Sequence, residues 1–332
     1  MKAFVTGSTG LLGTNLVRAL LARGHEVIAL ARDTAKAARL LTGKETQVVI
    51  GDMRRVETFA SALEGCDAVF HGAAHVRETV ATEADRQALD TVNVRGTMAL
   101  LEASEFAGVA CFVHVGSAGA VGRKSDGSPG DEQTPPSKVQ RANPYLQSKL
   151  RAQAALSACA EAGAMRVIEI LPGWIWGPYD EAPTAAGRML GQFEAGGIPF
   201  LVDGGTSIVD ARDVADAMIV AAGRAAHGTR YITGGHYVSM AQLLAALERV
   251  TSVPAPRRRI PHAVVMAYAA CAEVCTRMLG REALVTREAV RLMHACIALD
   301  SGRAERELGL RFRPLEETLH DAWTWRRNAQ RA

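Results

Sequence analysis

A glycine-rich turn directly after the first apolar run is the feature that most constrains the fold of this chain. The run Ala3-Phe4-Val5 reads as a short buried strand, and it leads into Thr6-Gly7-Ser8-Thr9-Gly10-Leu11-Leu12-Gly13, after which a helical segment begins. Glycines in such a turn permit a tight bend, let backbone N–H groups approach a phosphate, and allow the helix to pack closely on the strand. A glycine triplet alone is weak evidence, and the alternative is a structural turn without a ligand. Its place between a strand and a helix predicts a nucleotide-binding βαβ unit.

Strands and helices alternate along the first two thirds of the chain. The pattern predicts strands at 2–6, 26–31, 47–51, 68–71, 110–115, 166–171 and 230–233, and helices at 11–23, 34–41, 56–63, 84–107, 143–161 and 212–222. Strands separated by helices of this length form a parallel sheet that helices cover on both faces. We therefore predict an α/β protein with a Rossmann-type, doubly wound parallel sheet and a smaller, mostly helical C-terminal substrate lobe.

The predicted domain division follows the point where this alternation fails. After Pro172 the sequence is rich in Gly, Pro and aromatic residues up to about Phe200, and the end of the chain is mostly helical. We assign residues 1–171 to the nucleotide-binding domain, with 203–235 returning to it. Residues 172–202 and 236–332 are assigned to the substrate lobe.

Composition and charge indicate a globular enzyme. Hydrophobic residues make up 48% and charged residues 22% of the 332 residues, and the formal net charge is only +3. This balance argues against a nucleic-acid binder or a disordered tail. The six cysteines lie in apolar stretches without metal-ligand spacing, so we expect reduced, buried thiols and no metal site.

The apolar segments predict a cytoplasmic protein that does not cross a membrane. The run Ala3-Phe4-Val5 is too brief for the apolar centre of a secretory signal. The most membrane-like stretch, residues 263–275, is interrupted by Glu273 and is shorter than the ~20 residues of a spanning helix. We expect a buried or interface helix there, and neither a membrane nor a nucleic acid among the partners.

The end of the second predicted strand indicates which nicotinamide cofactor binds. An acid at this point accepts a hydrogen bond from the 2′-hydroxyl of NAD and repels the 2′-phosphate of NADP. This chain has no acid at the end of the strand, where Ala31 lies. Arg32 and Lys36 follow, and two cations suit a phosphate. NADP(H) is therefore favoured. NAD(H) remains possible, because a small loop shift would offer Asp33 to the ribose diol.

A tyrosine and a lysine one helical turn apart are the candidate catalytic pair. Tyr145 and Lys149 open the predicted helix 143–161 and project from one face of it. A free tyrosine, with a pKa near ~10, is a poor acid–base catalyst at neutral pH, and a neighbouring ammonium should lower that pKa. Lys149 could also bind the nicotinamide ribose. The spacing by itself is common in helices, and a solvated helix face is the alternative.

Ser117 strengthens this interpretation from the preceding strand. The strand ending in Val115-Gly116-Ser117 places a hydroxyl at the carboxyl edge of the sheet, where ligands bind in open α/β folds. There Ser117 would donate a hydrogen bond to the substrate oxygen while Tyr145 delivers the proton. The alternative for Ser117 is a turn residue in Gly116-Ser117-Ala118-Gly119.

Together these motifs resemble those of the extended short-chain dehydrogenases/reductases, the NAD-dependent epimerase/dehydratase family, over nearly the whole chain. Besides the glycine turn, Ser117 and the Tyr145 and Lys149 pair, the motifs are Gly51-Asp52-Met53, His71-Gly72-Ala73-Ala74, Asn93-Val94-Arg95-Gly96-Thr97 and Leu171-Pro172-Gly173. Within the superfamily, Ala31-Arg32-Asp33 and Val209-Asp210-Ala211-Arg212-Asp213-Val214-Ala215 resemble the dihydroflavonol 4-reductase-like branch. That branch reduces ketones with NADPH. At the position of Gly122, the plant flavonoid enzymes have a polar residue that recognises the substrate ring, so this chain departs from their pattern there.

The resemblance implies cofactor contacts for single residues. Asp52 and Met53 would touch the adenine, Ala73 and Ala74 would line the cofactor groove, and the backbone after Pro172 would meet the nicotinamide amide. The complete predicted cofactor set is Gly7, Thr9, Gly10, Leu11, Leu12, Gly13, Arg32, Lys36, Asp52, Met53, Ala73, Ala74, Tyr145, Lys149, Pro172 and Gly173.

The resemblance also implies a homodimer. The two predicted helices 84–107 and 143–161 would pack against their copies as a four-helix bundle across a twofold axis. Asn93 would brace the first of these helices rather than take part in the chemistry.

Three classes of function are open at this point. A carbonyl reductase or alcohol dehydrogenase for a hydrophobic or aromatic ketone comes first, a nucleotide-sugar epimerase or 3β-hydroxysteroid-type dehydrogenase/isomerase second, and a non-catalytic cofactor sensor third. A 4,6-dehydratase would need an Asp-Glu pair where this chain has Ala118-Gly119. Sugar-nucleotide enzymes carry an Arg just before the segment at Val209, where this chain has Gly205-Thr206-Ser207-Ile208. The intact Tyr145 and Lys149 argue against a sensor.

Two further features have both a functional and a structural interpretation. In a chain that is only 5% aromatic, large apolar side chains gather after Pro172, and they indicate either an apolar ketone pocket or the lobe core. They are Trp174, Trp176, Tyr179, Met189, Phe193 and Phe200. The loop 122–143, rich in Gly, Pro and charge, is either a substrate lid or an idle surface loop.

Overall fold

The fold is built on a parallel sheet flanked by helices, and the computed structural model describes residues 1–41, 46–76, 83–160, 165–278, 286–294 and 298–331. The strands in these residues are β1 (Lys2–Thr6), β2 (Glu26–Ala31), β3 (Thr46–Ile50), β4 (Ala68–His71), β5 (Cys111–Val115), β6 (Arg166–Pro172), β7 (Trp174–Trp176), β8 (Gly205–Asp210), β9 (Arg230–Thr233) and β10 (His236–Ser239). The helices are α1 (Leu11–Ala22), α2 (Thr34–Leu40), α3 (Glu83–Leu89), α4 (Gly96–Phe106), α5 (Lys138–Ala142), α6 (Pro144–Ala160), α7 (Ala185–Glu194), α8 (Ala211–Arg224), α9 (Met240–Thr251), α10 (His262–Met278), α11 (Arg287–His294), α12 (Gly302–Leu308) and α13 (Leu315–Arg331).

Seven strands form the central sheet in the order β3-β2-β1-β4-β5-β6-β9, and all the pairings in it are parallel. Successive side chains point to opposite faces, so Val5 packs in the core on one side of the sheet and Phe4 in the core on the other. The strand order reverses between β1 and β4. The carboxyl ends of these strands therefore border the crevice where ligands bind in open α/β sheets. The predicted Rossmann-type α/β fold is confirmed.

Helices cover both faces of this sheet. On the Val5 face, α1 packs against α8. On the Phe4 face lie α4, α6 and two 3-10 turns, Val56–Thr58 and Ala60–Leu63, and the ring of Phe4 stacks on that of Phe59 with 6.0 Å between centroids. Because both faces are covered, the strands can be almost continuously apolar.

A second sheet of three strands supports the smaller lobe. Its order is β10-β8-β7, with β7 parallel and β10 antiparallel to β8. The apolar side chains of this sheet pack with α7, α9 and α13 around Trp176, Phe193 and Leu247. The segment 203–235 contributes to both layers, since β8 pairs in the small sheet whereas α8 and β9 belong to the large one.

Two of the predicted helices differ from the structure. The predicted helix 56–63 consists of the two 3-10 turns, and the predicted helix 84–107 is interrupted by a π-helical turn, Asp90–Arg95, between α3 and α4. The widened turn carries Asn93 into the interior, where its side chain is buried. Such π-turns are frequent at functional sites. Of the predicted helix 143–161, residue 161 lies outside the described residues.

The expectation that the thiols are buried is wrong for two of them. Cys66 and Cys111 are buried, but Cys271 and Cys275 are exposed on α10, because one apolar face of that helix is turned outward. Outside the described side chains lie Cys159 and Cys296. Within the described ranges, no helix has the length and apolar character needed to cross a bilayer, and no cluster of His, Cys, Asp and Glu could hold a metal ion.

Gly7 offers a test of the turn after β1. Its φ is +70°, and a Cβ there would lie 2.8 Å from both the Gly72 carbonyl carbon and the Ala73 nitrogen. We expect Gly7→Ala to lower the free energy of unfolding by about 3 kcal/mol, which combines ~1–2 kcal/mol of left-handed strain with ~1–3 kcal/mol of overpacking.

The matched control is Gly24→Ala. Gly24 has a φ of +72°, but an added Cβ would meet nothing within 4 Å. This variant should therefore lose only the strain of ~1–2 kcal/mol. Chemical denaturation of both variants measures the difference, and equal losses would contradict the close contact of Gly7 with the segment after β4.

Candidate active site

The turn between β1 and α1 has the form of a phosphate cradle. The Gly10 N–H donates to the Gly7 carbonyl at 2.9 Å, which closes the turn, and α1 starts at Leu11. Gly10 precedes this helix without a side-chain cap, and the first turn contains no acid. The N–H groups of the first turn and the positive end of the helix dipole therefore remain available to an anion. The turn fits the pyrophosphate of a dinucleotide.

The ends of β1 and β4 are joined beside this cradle. The Ala73 N–H donates to the Thr6 hydroxyl oxygen at 3.1 Å, and the same hydroxyl lies 2.7 Å from Nδ1 of His71. Ala73 and Ala74 are half-buried, as are Thr9 and Leu12 on the opposite side of the turn. The structure thus brings the predicted groove residues together where the strand order reverses.

The segment after β2 carries the residues expected to select the cofactor. Arg32 is exposed, Lys36 lies in the first turn of α2, and Ala31 is buried. Asp33 caps α2, because its carboxylate accepts a hydrogen bond from the Lys36 N–H at 3.0 Å. This bond is the main cause that lowers the pKa of Asp33. The Asp33 carboxylate, which could have bound a ribose diol, instead caps α2.

Asp52 and Met53 follow β3 at the same end of the groove. Asp52 forms an ion pair with Arg54 at 2.7 Å, and this partner is the main cause that lowers the pKa of the carboxyl, with a smaller contribution from Arg32. Asp52 is therefore close enough to Arg32 for the charge of this arginine to lower the pKa of the carboxyl. The side chain of Met53 is buried in the core with Phe59, which leaves Asp52 as the more accessible of the predicted adenine contacts.

Lys149 joins the candidate catalytic helix to the sheet. Its Nζ is buried and donates to the Val115 carbonyl oxygen at 2.8 Å, at the carboxyl end of β5. Tyr145, one turn earlier on α6, is half-buried. A Cβ on Gly119 would lie 3.2 Å both from the side chain of Leu146 and from Oγ of Ser117. The first turn of α6 therefore packs against the turn that contains Ser117.

The pKa of Tyr145 is shifted in the direction opposite to the prediction. Burial raises the pKa of Tyr145 to about 12, whereas the sequence analysis expected Lys149 to lower it. Burial also lowers the pKa of Lys149 to about 8, against a smaller upward effect of Glu169. The prediction considered only the neighbouring charge. In this structure burial is the cause that shifts the pKa of Tyr145, and the Lys149 ammonium is directed at a backbone oxygen.

Ser117 has the turn role that was its alternative interpretation. It precedes the 3-10 turn Ala118–Ala120, and its hydroxyl oxygen accepts a hydrogen bond from the Gly119 N–H at 3.2 Å. This contact uses a lone pair of the hydroxyl and leaves its proton for another acceptor. The cap orients the side chain, so the turn role and donation to a substrate oxygen are compatible.

Asn93 positions α6 through a serine that sequence analysis missed. Its Nδ2 donates to Oγ of Ser148 at 2.9 Å and to the His75 carbonyl at 3.0 Å, and its Oδ1 accepts from the His75 N–H at 2.7 Å. Ser148 in turn donates to the Tyr145 carbonyl at 2.7 Å. Asn93 therefore connects the π-helical turn, the segment after β4 and the helix of Tyr145.

A buried acid behind Lys149 was also missed. Glu169 on β6 lies 3.3 Å from Nδ1 of His114 on β5 and 3.2 Å from Nε of Arg230 on β9. Burial is the main cause that lowers the pKa of His114. The signal available in the sequence was a single acid inside the apolar run 167–171. A charge there needs buried partners, and those partners come from other strands.

The backbone at the end of β6 is less accessible than predicted. The Gly173 N–H donates to the Thr233 carbonyl at 3.0 Å, and Pro172 is buried. A nicotinamide amide at this end would have to meet the carbonyl groups or the N–H groups further along the chain. Pro172 and Gly173 thus lie at the predicted edge of the sheet, but the first N–H after Pro172 is already paired.

The aromatic cluster of the lobe is mostly core. Trp176 and Phe193 are buried, and Trp174 packs against their cluster, so these side chains have the core role that was the alternative interpretation. Tyr179 lies under the guanidinium of Arg18, which is 4.5 Å from its ring centroid. Large apolar side chains in a small lobe are needed to build its core.

The loop 122–143 is fastened at two points. Gly130 pairs with the segment 298–300 through two backbone hydrogen bonds, and the Glu132 carboxylate accepts from the Ile232 N–H at 2.9 Å. Its last part forms α5, where Gln140 donates to the Gly119 and Val121 carbonyls. These contacts connect the loop to β9 and to the turn of Ser117.

Comparison with known proteins places these features in a family. The model of the NAD-dependent epimerase/dehydratase family matches residues 3–234. A protein of Synechocystis sp. that bears a provisional dihydroflavonol 4-reductase name is 34% identical over 331 residues, covering 98% of this chain and 94% of that protein. Sterol demethylase protein B of Methylococcus capsulatus is 34% identical over 327 residues, covering 98% of each. The crystal structure of gox2253 is similar with a TM-score of 0.84 and 32% identity, over 99% of this chain and 98% of that one.

The pKa of Lys149 predicts a pH-dependent stability. Its folded pKa of about 8 lies below the usual 10.5, so between these values the unfolded chain binds more protons than the folded one. The free energy of unfolding contributed by Lys149 therefore rises with pH across this window, by an amount on the order of 3 kcal/mol. Wild type should gain stability relative to Lys149→Met between pH 8 and 10.5. Denaturant unfolding of both proteins measures this, and a difference that does not change with pH would contradict it.

Proposed function

The chain belongs to the NAD-dependent epimerase/dehydratase family, whose members are NAD(P)-dependent enzymes acting on CH–OH and C=O groups, and we propose that it is an NADPH-dependent ketone reductase. The observation that supports the proposal is the attachment of α6 to β5 through Lys149, with Leu146 of the same helix packed against the turn of Ser117. A phenol, an ammonium and a hydroxyl at the carboxyl edge of the sheet are suited to delivering a proton to an oxygen atom.

In the proposed reaction each of these side chains has a separate task. When bound, NADPH supplies the hydride that reduces the carbonyl carbon. Tyr145 donates its proton to the carbonyl oxygen, and Ser117 donates a hydrogen bond that stabilises the negative charge developing there. The Lys149 ammonium, one turn from Tyr145, stabilises the phenolate that remains after proton transfer.

The protonation state of Tyr145 supports the reductive direction. With burial raising its pKa to about 12, the phenol keeps its proton at neutral pH, and a proton donor needs that form. Oxidation of an alcohol would need the phenolate as a base. Because a raised pKa also makes the phenol a weaker acid, proton transfer from Tyr145 needs the Lys149 ammonium to stabilise the phenolate.

An apolar substrate is supported by the groups around the site. Beyond Ser117 the chain continues with Ala118, which is buried, and Gly119, where a sugar dehydratase would need two acids. On β8, Ser207 and Ile208 are buried, so an arginine clamp for a second diphosphate is not formed by these positions. The names of two similar proteins refer to a dihydroflavonol and a sterol, both of which are largely apolar ring systems.

The second candidate is a 3β-hydroxysteroid-type dehydrogenase. The similarity to sterol demethylase protein B over almost the whole chain favours it over a nucleotide-sugar epimerase. The two proposals share the catalytic residues and differ in the substrate and in the direction of hydride transfer. Assays with a panel of apolar ketones plus NADPH, and of hydroxysteroids plus NADP, distinguish them.

We further propose that the enzyme is a cytoplasmic homodimer. In each copy α4 and α6 lie side by side and α3 packs against α6. The faces of α3 and α6 that point away from the sheet carry exposed residues such as Arg86 and Arg151. Two copies related by a twofold axis would pair these helices as a four-helix bundle.

Replacement of the proposed proton donor tests the mechanism. Tyr145→Phe should lower turnover by at least ~10²-fold, the usual contribution of a general acid, with nearly unchanged cofactor affinity. Lys149→Ala should reduce both. Tyr231→Phe is the matched control, since burial raises the pKa of Tyr231 to about 12 as well, but its hydroxyl bonds Glu307 outside the site. Turnover that is unchanged in Tyr145→Phe would refute the proposed role.

The cofactor preference is tested at the first turn of α2. We expect NADPH to bind more tightly than NADH, and Arg32→Ala and Lys36→Ala each to weaken NADPH binding roughly 10-fold by loss of a charged hydrogen bond, with little effect on NADH. Arg39→Ala is the control, because Arg39 on the same helix pairs with Glu181 at 2.7 Å. Dissociation constants from fluorescence titration measure this, and equal or tighter binding of NADH would reverse the assignment.

A further inference from the structure

Helix α10 turns an apolar stripe to the outside of the lobe. The stripe consists of exposed residues spaced mostly three and four apart: Val264, Tyr268, Cys271, Val274, Cys275 and Met278. Tyr268 is 62% and Met278 82% exposed, whereas Val265 and Ala269 on the opposite side of the helix are buried. Residues at this spacing lie along one side of a helix. An apolar stripe along the exposed side of one helix is a candidate interaction surface when neighbouring groups complement a partner.

Glu273 and His262 of α10 contact α11, and the six residues of the stripe are uncharged. The carboxylate of Glu273 accepts hydrogen bonds from the Arg287 N–H at 2.7 Å and from its guanidinium at 2.8 Å. At the start of α10 the ring of His262 stacks on that of His294, with 4.1 Å between centroids. Among the side chains that the structure describes on α10, the one acid therefore faces inward. This is the reverse of an ordinary surface helix, which turns its charges to water.

Three consecutive arginines lie in the segment before α10, separated from its first residue by Ile260 and Pro261. Arg257, Arg258 and Arg259 are exposed, although their backbone is fixed: the Leu201 N–H donates to the Arg258 carbonyl at 2.8 Å. Arg259 has a carboxylate of Asp203 at 3.8 Å, a distance at which the ion pair is weak. A cluster of cations beside an apolar helix face is the combination that attracts a protein to anionic lipid headgroups.

We propose that the apolar stripe of α10 and Arg257–Arg259 dock this protein on the surface of an anionic phospholipid bilayer. The stripe would lie at the boundary of headgroups and acyl chains, and the guanidinium groups would meet the phosphates. The helix has 17 residues and lies on the bilayer without crossing it. This replaces the sequence-based expectation of no membrane partner. It does not depend on the proposed ketone reduction, because the surface contains none of the catalytic residues.

A second copy of this chain fits the stripe less well than a bilayer does. At 1.5 Å per residue the helix is about 25 Å long, so one ridge roughly 10 Å wide covers on the order of 250 Å². A stable protein interface needs ~800 Å² from each partner. A fluid bilayer does not need a complementary shape, and its anionic phosphates complement the charge of the three arginines, which adds to the contribution of the buried apolar area.

The experiment is flotation of the full chain with vesicles of phosphatidylcholine, with and without phosphatidylglycerol. Wild type should float with the anionic vesicles and much less with the neutral ones. The double variant Tyr268→Glu/Met278→Glu should bind anionic vesicles at least ~10-fold more weakly, because charge is placed where the apolar stripe enters the lipid. The double variant Arg257→Gln/Arg258→Gln should lose a similar fraction of its binding to anionic vesicles. The binding of wild type should fall as the salt concentration is raised.

Controls separate this surface from general stickiness and from the catalytic function. Val48→Glu changes an apolar residue that is 38% exposed on β3, outside α10 and outside the helices of the proposed dimer, and should float like wild type. Turnover of a water-soluble ketone and sedimentation without vesicles should be the same for wild type and the α10 variants, so loss of binding is distinct from loss of the proposed activity. Three results would overturn the proposal: flotation unaffected by the α10 changes, equal binding to neutral vesicles, or self-association of wild type that Tyr268→Glu/Met278→Glu abolishes.

Discussion

The hydrogen bond from the Lys149 ammonium to the Val115 carbonyl determines the geometry of the catalytic half of this molecule. A buried ammonium without a partner is very costly, and the partner available to Lys149 is a backbone oxygen at the end of β5. That oxygen lies two residues before Ser117 in the chain. Satisfying one charge therefore sets the position of α6 on the sheet, and Tyr145, one turn away on the same helix, is positioned with it.

Side chains on the strands next to the bond between Lys149 and Val115 reduce the cost of burying the Lys149 ammonium. Glu169 on β6 raises the pKa of Lys149 against the larger opposite effect of burial, and Arg230 on β9 and His114 on β5 surround the same carboxylate. The pair on α6 thus depends on side chains from three neighbouring strands.

The smaller lobe divides its apolar residues between an interior and an outer surface. Trp176 and Phe193 stabilise the lobe core, whereas Tyr268 and Met278 on α10 face outward. Helix α11, on which α10 rests, also contacts α5, which directly precedes the helix of Tyr145. The proposed bilayer surface and the proposed ketone chemistry are physically compatible, because apolar ketones concentrate in lipid rather than in water.

The sequence by itself determined the features that depend on neighbouring residues: the alternation of strands and helices, the glycine turn at Gly7, and the spacing of Tyr145 and Lys149. Only the tertiary structure decided the partners of Glu169, which are 55 and 61 residues away in His114 and Arg230. It also decided the direction of the Tyr145 pKa shift and the outward orientation of the apolar stripe of α10. The physical reason is the same in each case: burial and long-range pairing depend on which elements pack together, and periodicity along one segment carries no information about its neighbours in space.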